Sequence, residues 1–555
     1  EVLGAIDAAG VDAEVVIRKH GIPDEHPPDA VAEARARDAV VQAFDIAGRT
    51  DFRGDTVVTI DGVHARDFDD AVSVDRLPNG HYRLAVHIAD VAHYVPEGSA
   101  LDLEAFARGT SVYFPERAIH MFPHELATGA CSLLPHVDRL VQSCVMEVNG
   151  SGEVVRHTLH DGVIHSAARM TYDDVHAILE GHDEALRSRY QGLVPAFERM
   201  RALFAILNGR RKRRGSIDFD LPEAEVIVDE DGAIADIVAS ERNVAHRIIE
   251  EFMLLANETV AAHLETADMP SLYRVHEAPD PVRLLEFEAF LQSLGHRLDV
   301  PAGGAVHPRA FQQLADRIRG TPEERAVAFL MLRTMQKARY DAVNLGHFGL
   351  AAHTYTHFTS PIRRYPDLVV HRMLRELRGG RVDDDRRADL ADMLPEIAQH
   401  TSAMERRAQE AERELVQWKK VRFMTGRIGE SFAGHVTGVA PYGLFVQLSE
   451  HFVEGMVHVS TLTDDVYRFD ESARVLFGPR SRRVFRLGDA LQVRVARVDL
   501  DRRQVELVVD DLKALPRPAR PVRESKGGRA ARPTRKASSG RPGRRERIGK
   551  KQGRR

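Results

Sequence analysis

The chain has 555 residues, of which 43% are hydrophobic and 29% charged, a composition typical of soluble globular proteins and a length too great for one hydrophobic core. No apolar run approaches the ~20 residues that span a bilayer, so the sequence predicts no membrane partner. Its two cysteines, Cys131 and Cys144, give neither a disulfide framework nor a metal-ligand spacing, which favours the cytoplasm.

The net charge of -6 is unevenly distributed along the chain. Residues 515–555 carry 16 Lys and Arg against 2 Asp and Glu, whereas the residues before them carry 61 against 81. An acidic body with a basic tail is typical of proteins that contact nucleic acid. Because the tail is nearly free of aliphatic residues, it is predicted to be disordered over 513–555 and to bind phosphates non-specifically. A solubilising tail is the alternative.

The first 50 residues contain a short β-like run at Glu14–Arg18, several prolines and a helical stretch from Asp29 to Phe44. The chain starts at Glu1 in mid-pattern, so we expect an N-terminal segment to precede it. These residues are predicted to be the remnant of a small domain and a connector.

Strand patterns dominate from Phe52 to about Gly150, and the predicted strand Thr56–Ile60 leads into an acidic segment. Four carboxylates in ten residues repel each other and raise pKa values unless cations bind there. Oxygen ligands without cysteine or a histidine pair suit Mg²⁺, with Mn²⁺ as the alternative, and such sites cleave or form phosphodiesters. The spacing does not fit an EF-hand, and a solvated acidic turn is the alternative interpretation. The four residues are Asp61, Asp67, Asp69 and Asp70.

The stretch from Tyr172 to about Val416 is predicted to be mostly helical. Arg363 and Arg364 are adjacent in it, and guanidinium groups suit bidentate phosphate binding. Ion pairs with acids of a neighbouring helix are the alternative for this pair. The basic run Arg210–Arg214 is predicted mainly to be a solvated helix face.

Five short strands separated by glycines between Gly426 and about Asp510 predict a small closed barrel, most naturally an OB-fold. Aromatic rings on such a barrel stack on unpaired bases and cations follow the backbone, although each ring taken alone also fits the core. The pattern around Gly434–Val446 resembles the RNA-binding module of the ribosomal small-subunit protein S-one. The candidate RNA-binding residues are Phe432, Tyr442, Phe445 and His458, with Arg494 and Arg497 on a later strand.

Taken together, five segments in this order resemble the RNase II/RNase R family of exoribonucleases, and the resemblance extends over residues 11–510. It implies a multidomain α+β chain: a remnant of a cold-shock OB domain and connector over 1–50, an RNB catalytic domain of mixed sheet plus helices over 51–415, an S-one-type OB-fold over 416–512 and the disordered basic tail over 513–555. The segments are Ile60–Ala71, Val86–Ala92, Gly109–Pro115, His347–Leu350 and Thr359–Asp367.

The resemblance implies processive hydrolysis of single-stranded RNA from its 3′ end to nucleoside 5′-monophosphates, with two Mg²⁺ ions during catalysis. The long basic tail favours an RNase R-like enzyme that also degrades structured RNA bearing an overhang. An RNase II-like enzyme that stalls at duplexes is one alternative, and a catalytically degenerate RNA-binding or chaperone-like protein is another. We expect a monomer whose tail contacts the ribosome or RNA-decay factors.

Carried over to matching positions, the resemblance makes the four aspartates the magnesium ligands, with Asp69 the most sensitive for chemistry. It implies that Tyr113 positions the 3′ end of the RNA. Arg363 is implied as the phosphate clamp, with Arg364 beside it.

The same resemblance implies residues that hold the bases. Tyr172 and Phe219 sandwich the last stacked bases. Glu251 contacts the RNA, with Glu250 as the alternative for that position.

Overall fold

Both helices and strands make up large parts of the chain, and the predicted α+β class is confirmed. The computed structural model describes residues 3–4, 8, 10–37, 39–181, 183–218, 223–229, 234–300, 306–321, 323–471 and 474–510. The basic tail predicted over 513–555 and the candidate Phe219 lie outside the described residues.

The N-terminal stretch is helical where it is described. Val11–His20 is a helix with acids in its first turn and cations in its last, which complements the helix dipole, and Gly21 ends it with φ 61°. The predicted β-like run at Glu14–Arg18 is therefore wrong, because its buried residues recur three and four apart rather than every second residue. The predicted helical stretch is two short helices, Pro28–Arg35 and Ala43–Ile46.

A seven-stranded mixed sheet, here the central sheet, occupies the middle of the fold. Its neighbouring strands run antiparallel except at two places, where Thr50–Asp51 pairs with Val154–His165 and Val58–Asp61 pairs with Ala168–Thr171. In spatial order the strands are Thr50–Asp51, Val154–His165, Asp138–Val148, Tyr82–Ala89, Asp70–Arg76, Val58–Asp61 and Ala168–Thr171.

Helices cover this sheet, and their apolar faces share one core with it. Small two-stranded sheets are Val112–Tyr113 with Ala118–Ile119, Glu223–Val228 with Ile234–Ser240, and Tyr273–Val275 with Arg339–Asp341. Two π-helical turns are Glu125–Ala130 and Ala177–Gly181. The helices are Val91–Tyr94, Ala100–Arg108, Tyr172–His176, Glu184–Arg189, Val194–Arg214, Val244–Thr266, Pro281–Ser293, Pro308–Ile318, Glu324–Thr334 and Tyr365–Arg378.

A 40-residue helix, Asp384–Phe423, connects the region of the central sheet to the C-terminal barrel. The N-terminal helix packs on it together with the hairpin of Val112–Tyr113 and Ala118–Ile119, in one apolar cluster. Glu414 of the long helix bonds to Lys19 and His20 of the N-terminal helix. It also pairs with Arg503, whose guanidinium lies over the ring of Trp418. The long helix therefore joins three regions that are distant in sequence.

The C-terminal barrel is closed, as the sequence predicted. Residues pointing inward alternate with exposed ones along its strands, which is the period expected of a barrel wall. Two short helical turns, Met424–Arg427 and Val459–Thr461, flank its strands. A three-stranded sheet beside it, which the sequence did not predict, consists of Arg468–Asp470, Val475–Phe477 and Val484–Phe485. The barrel strands, in order around the wall, are Ser431–Ala440, Gly443–Leu448, Glu454–His458, Gln504–Val509 and Ala490–Asp499.

Among the described helices, none is long and apolar enough to cross a membrane. Cys131 and Cys144 are both buried and free.

Candidate active site

The four aspartates lie at one end of the central sheet, where two neighbouring strands meet. Asp61 ends the strand Val58–Asp61 and Asp70 begins the strand Asp70–Arg76, so the loop between them presents Asp67 and Asp69. Pairing of the two strands fixes the ends of this loop. The solvated-turn alternative does not fit, because the Asp69 side chain is buried, with a relative exposure of 4%.

Contacts to its backbone fix the shape of the aspartate loop. Arg169 donates from Nη2 to the carbonyl oxygens of Gly62 and Val63, at 2.7 and 2.8 Å. On the other side, Ser132 accepts from the amide of Phe68 at 3.0 Å and donates to the carbonyl of Arg66 at 2.7 Å. These side chains hold the loop through its peptide groups, so the carboxylates remain available for other partners.

Asp69 lies between a backbone donor and a cation. Its Oδ1 accepts from the amide of Ile362 at 2.8 Å, and its Oδ2 lies 3.5 Å from Nε of Arg363. The Arg363 side chain is 42% exposed and is also held by Ser360 Oγ at 3.0 Å. Arg363 is thus oriented towards the aspartates while its guanidinium keeps open positions for an anion.

Arg364 differs from the prediction that it binds RNA. Its guanidinium makes two bonds to the buried carboxylate of Asp367, at 2.9 and 2.7 Å, and the side chain is 17% exposed. The ion-pair alternative therefore describes Arg364, while Arg363 fits the phosphate-binding prediction. Arg364 immediately precedes the helix Tyr365–Arg378 and ties it to the Arg363 loop.

Burial and mutual repulsion raise the pKa of several carboxyls in the cluster. The pKa of Asp61 lies well above its usual value because of burial and the charges of Asp70, Asp69 and Asp67. Burial raises the pKa of Asp69 as well, against the opposing effect of Arg363. Burial also raises the pKa of Asp70, to about 6, although Arg363 and Arg364 oppose the shift. Such a cluster attracts positive charge.

The donor chemistry of the cluster fits a hard divalent cation. Oδ2 of Asp61 is buried and has no hydrogen-bond partner within the described part of the chain, so it is free to ligate. Across those same residues no three His, Cys, Asp or Glu side chains form a complete metal-binding group. Mg²⁺ does not require one, since it commonly takes one or two carboxylates and completes its octahedron with water and substrate phosphate.

Tyr113 approaches the aspartates from the hairpin of Val112–Tyr113 and Ala118–Ile119. Its hydroxyl donates to Asp67 Oδ2 at 2.7 Å, and its ring remains 40% exposed. Desolvation and the neighbouring Asp67 charge hold the pKa of Tyr113 well above its usual value, so the hydroxyl stays a donor. Its amide donates to Glu412 of the long helix at 2.8 Å.

The Tyr113 hairpin is tied directly to the Arg363 loop. The amide of Ser111 and the hydroxyl of Thr110 both donate to the carbonyl of Arg363, at 3.0 Å each. Gly109, just before these residues, permits a close approach to the long helix: it has φ 70°, and an added Cβ would lie 2.7 Å from Met404. The structure therefore brings Tyr113, Arg363 and the aspartates together, as the sequence predicted.

Tyr172 follows the strand next to Val58–Asp61 and begins the helix Tyr172–His176. This helix contacts the strand Val58–Asp61, and burial raises the pKa of the Tyr172 hydroxyl, with the charges of Asp70 and Asp61 acting in the same direction. One ring face is stacked on His246, with centroids 3.8 Å apart and planes at 21°.

Glu251 is buried, and its carboxylate pairs with Arg211. Glu250 is more exposed and pairs with Arg242. The basic run Arg210–Arg214 is therefore not simply a solvated face: Arg211 is buried on Glu251, and Arg214 pairs with Glu258.

The barrel residues divide between surface and core. Tyr442 is 51% exposed and lies edge-on to the half-buried Phe445, and His458 is exposed beside them. Phe432 differs from the prediction: its ring lies in the barrel core, which leaves no face for a base. Arg494 and Arg497 are exposed, each in an ion pair with neighbouring acids.

Several residues near the site were not predicted from the sequence: Arg169, Ser132, Glu412, His246 and the amide of Ile362. A faint signal existed for Arg169, a lone cation inside a buried strand. Ser132, Glu412 and Ile362 contact the site from positions far away in sequence, and no local pattern marks such contacts.

Two family models match the chain: the RNB domain over residues 49–379 and the S1 RNA binding domain over residues 426–509. The protein Ribonuclease R of Aquifex aeolicus (strain VF5) is 47% identical over 507 residues, which is 91% of this chain and 71% of that protein. A solved structure of Mycoplasma genitalium RNase R in complex with ribose methylated single-stranded RNA has 28% identity and a TM-score of 0.85, and the match covers 92% of this chain and 79% of that one. The same enzyme in complex with double-stranded RNA has 26% identity and a TM-score of 0.81, with coverage of 92% and 84%.

Proposed function

Since this chain belongs to the ribonuclease R family and is a 3′-to-5′ exoribonuclease, we propose that the aspartate loop Asp61–Asp70 is its hydrolytic centre. Arg363 and Tyr113 complete that centre. The RNB and S1 domains and the identity to relatives along nine-tenths of the chain confirm the predicted family. The roles assigned to individual residues are our proposal.

The contact between Arg363 and Asp69 carries this assignment. A buried carboxylate held by a peptide amide, with a half-exposed guanidinium 3.5 Å away, fits a site that receives an anion beside an acidic cluster. A phosphodiester fits both features: its non-bridging oxygens suit the guanidinium, and a divalent cation held by the acids would offset the charge on its reacting oxygens.

Hydrolysis at the 3′ end breaks the P–O bond to the penultimate ribose and forms a new P–O bond from water. Arg363 offsets charge that builds on the non-bridging oxygens, and its fixed orientation avoids reorganisation during the reaction. Tyr113, on its rigid hairpin, holds the terminal nucleotide against the aspartates and keeps Asp67 oriented.

Members of this family are metal-dependent nucleases, and the aspartates are the residues that would hold the metal. A divalent cation there supplies an attacking water of lowered pKa and charge compensation at the leaving oxygen. We propose Mg²⁺, with Mn²⁺ as the alternative and two ions during catalysis, because every donor of the cluster is a carboxylate.

The chain binds RNA, and we assign the RNA contacts to three groups of residues. Phe219 and the open face of Tyr172 stack on the last bases, whereas no RNA contact is assigned to Glu251, because it is buried in an ion pair with Arg211. Tyr442, Phe445 and His458 form the exposed face of the barrel that meets the incoming strand. The basic tail adds contacts to phosphates.

We propose that structured RNA with a 3′ overhang is also degraded. The relative from Mycoplasma genitalium was solved with double-stranded RNA as well as with single-stranded RNA, which favours this behaviour over stalling at duplexes. A catalytically degenerate RNA-binding protein is disfavoured, because all four aspartates, Arg363 and Tyr113 are present and close together. We further propose that the protein is a cytoplasmic monomer and that its tail contacts the ribosome or RNA-decay factors. The proposed domain boundaries follow residues 50, 415 and 512.

The proposal is tested by incubating the protein with a 5′-labelled and a 3′-labelled oligonucleotide of the same sequence. With Mg²⁺ the 3′ label should appear at once as a nucleoside 5′-monophosphate, while the 5′ label stays on progressively shorter RNA. EDTA should stop both. Bound but uncut RNA in the presence of Mg²⁺ and Mn²⁺ would favour the degenerate protein instead. A hairpin with a short 3′ overhang separates the two enzyme types.

A further inference from the structure

The ring of Tyr172 has only one face available to a base. Its other face lies against the imidazole of His246, with ring centroids 3.8 Å apart and planes 21° from parallel. The two rings come from different elements. Tyr172 begins the helix after the edge strand of the central sheet, and His246 lies in the first turn of the helix Val244–Thr266. Because the two stacked rings belong to separate helices, the packing of those helices fixes the contact.

Asn243 fixes the imidazole in that position. Its Oδ1 caps the helix by accepting from the amides of Ala245 and His246, at 3.0 and 3.3 Å, and it lies 3.0 Å from His246 Nδ1. Because that oxygen only accepts, Nδ1 of the imidazole must carry the proton. The amide of the same Asn243 side chain reaches Asp173, the neighbour of Tyr172, at 3.4 Å.

The surroundings of the imidazole favour its neutral form. Burial lowers the pKa of His246, and the charge of Arg242 acts in the same direction, while Asp173 and Glu250 oppose the shift. A neutral ring with one fixed tautomer offers Tyr172 a permanent stacking surface.

We propose that His246 is a positioning residue of the RNA-binding site: it supports the ring of Tyr172 from behind and orients its open face towards the bases at the 3′ end of the RNA. A bound base would then continue a three-layer stack of base, Tyr172 and His246. The inference rests on the proposed base-stacking role of Tyr172, and it adds a residue to the site on geometric grounds alone.

Steady-state degradation of an oligoadenylate tests this role with His246→Ala, His246→Phe, Tyr172→Ala and the His246→Ala/Tyr172→Ala double variant. Loss of one ring from a stacked pair should raise KM about three- to tenfold with kcat within twofold of wild type. His246→Phe, which keeps a ring, should restore KM to within twofold. In the double variant KM should rise less than twofold beyond that of Tyr172→Ala, since the support matters only while the supported ring is present.

A second substrate shows whether His246 acts through base stacking or only by stabilising the fold. On an oligonucleotide whose four 3′-terminal nucleotides lack bases, His246→Ala should match wild type within twofold. His176→Ala is the matched control, because His176 lies on the same short helix as Tyr172 and its side chain is only partly buried. It should leave KM unchanged on both substrates.

Three results would overturn the inference: additive effects in the double variant, an equal loss on the base-free substrate, or a loss in His246→Phe as large as in His246→Ala. If Tyr172→Ala raises KM and His246→Ala does not, only the support role fails. If Tyr172→Ala itself leaves KM unchanged, the proposed stacking role of Tyr172 fails, and the inference falls with it.

Discussion

The hydroxyl of Tyr113 donates a 2.7 Å hydrogen bond to the carboxylate of Asp67, and the amide of the same residue is held by Glu412. The tyrosine therefore combines an exposed ring with a hydroxyl that supports one of the four acids. Because the hydroxyl contacts Asp67, its effect on activity can be tested separately from that of the ring.

Tyr113→Phe should lower kcat by roughly 10- to 100-fold, because hydrogen bonds to charged groups contribute about 1.5–3 kcal/mol. The ring is kept, so KM should change less than threefold. Single-turnover digestion of a labelled oligonucleotide gives both values. Tyr190→Phe, in a helical segment away from the hairpin, is the control and should behave as wild type. A loss confined to KM would assign the hydroxyl to RNA binding instead.

Asp69→Asn should abolish turnover while RNA affinity stays within a few-fold of wild type. The amide side chain can still accept from Ile362, so the loop keeps its shape and only the charge beside Arg363 is lost. Nuclease assays combined with filter binding in EDTA check both quantities. Asp75→Asn, at the far end of the strand Asp70–Arg76 and half-exposed, should retain activity. Equal losses of turnover and affinity would contradict the assigned role.

Arg169→Lys should reduce kcat about tenfold, since a single ammonium group loses the geometry by which Nη2 holds the carbonyls of Gly62 and Val63. The free energy of unfolding should fall by about 1–3 kcal/mol. Arg199→Lys makes a matched control, because Arg199 also donates to a strand carbonyl, that of Val74, but away from the aspartate loop. Denaturant titration and kcat are measured for each. Comparable kcat values in the two variants would show that the loop does not depend on Arg169.

The aspartate cluster should destabilise the metal-free protein as the pH rises. The pKa of Asp70 is raised to about 6 in the folded state, so between about pH 4 and pH 6 the native state holds a proton that the unfolded state has lost. The free energy of unfolding therefore falls as the pH rises through that window, by up to about 3 kcal/mol from this group. Asp70→Asn should lack this share of the loss and keep the share that comes from Asp61 and Asp69.

Thermal unfolding in EDTA at pH 5 and pH 7.5 tests this sign: the variant should gain stability relative to wild type at the higher pH. Saturating Mg²⁺ at pH 7.5 should raise the melting temperature of wild type more than that of Asp70→Asn. Asp75→Asn serves again as the exposed control. A difference between wild type and Asp70→Asn that is independent of pH would exclude a raised pKa.

Removal of residues 515–555 should flatten the salt dependence of RNA binding. These residues carry 16 Lys and Arg. On a single strand, the slope of log K against log salt becomes shallower by about 0.7 for each phosphate that the protein no longer neutralises. Binding is measured between 50 and 300 mM salt in EDTA, with a variant whose tail cations are replaced by Gln as control for length. An unchanged slope would identify the tail as a solubilising segment.

The sequence predicted elements whose pattern is local. The barrel strand Gly443–Leu448 and the helix around Glu251 were found because alternation or helical spacing is visible within a few residues. The run Glu14–Arg18 was misjudged because five residues fit both periods, and only packing against the long helix decides between them. Phe432 was assigned to the RNA face because the sequence shows that a ring lies on a strand but not which side of the wall it faces.

The acids of the site were predictable because all four lie within ten residues. Their supports were not: Ile362 is 293 residues from Asp69, and Ser132 is more than 60 residues from the loop it holds. A peptide amide has the same chemistry at every position, so no residue type announces such a contact. Arg363 and Arg364 could not be told apart from the sequence for the same reason. The fold pairs Arg364 with Asp367 and leaves the guanidinium of Arg363 partly exposed.

The 40-residue helix has a mechanical consequence. Through Glu414 it is fastened to Arg503 at a turn of the barrel, and two residues earlier along the chain, at Glu412, it supports the hairpin of Tyr113. If RNA meets the barrel and is cut beside Tyr113, as proposed, a force on the barrel would act on the same helix that supports the hairpin. The two ends of the RNA path would then be mechanically linked through one helix.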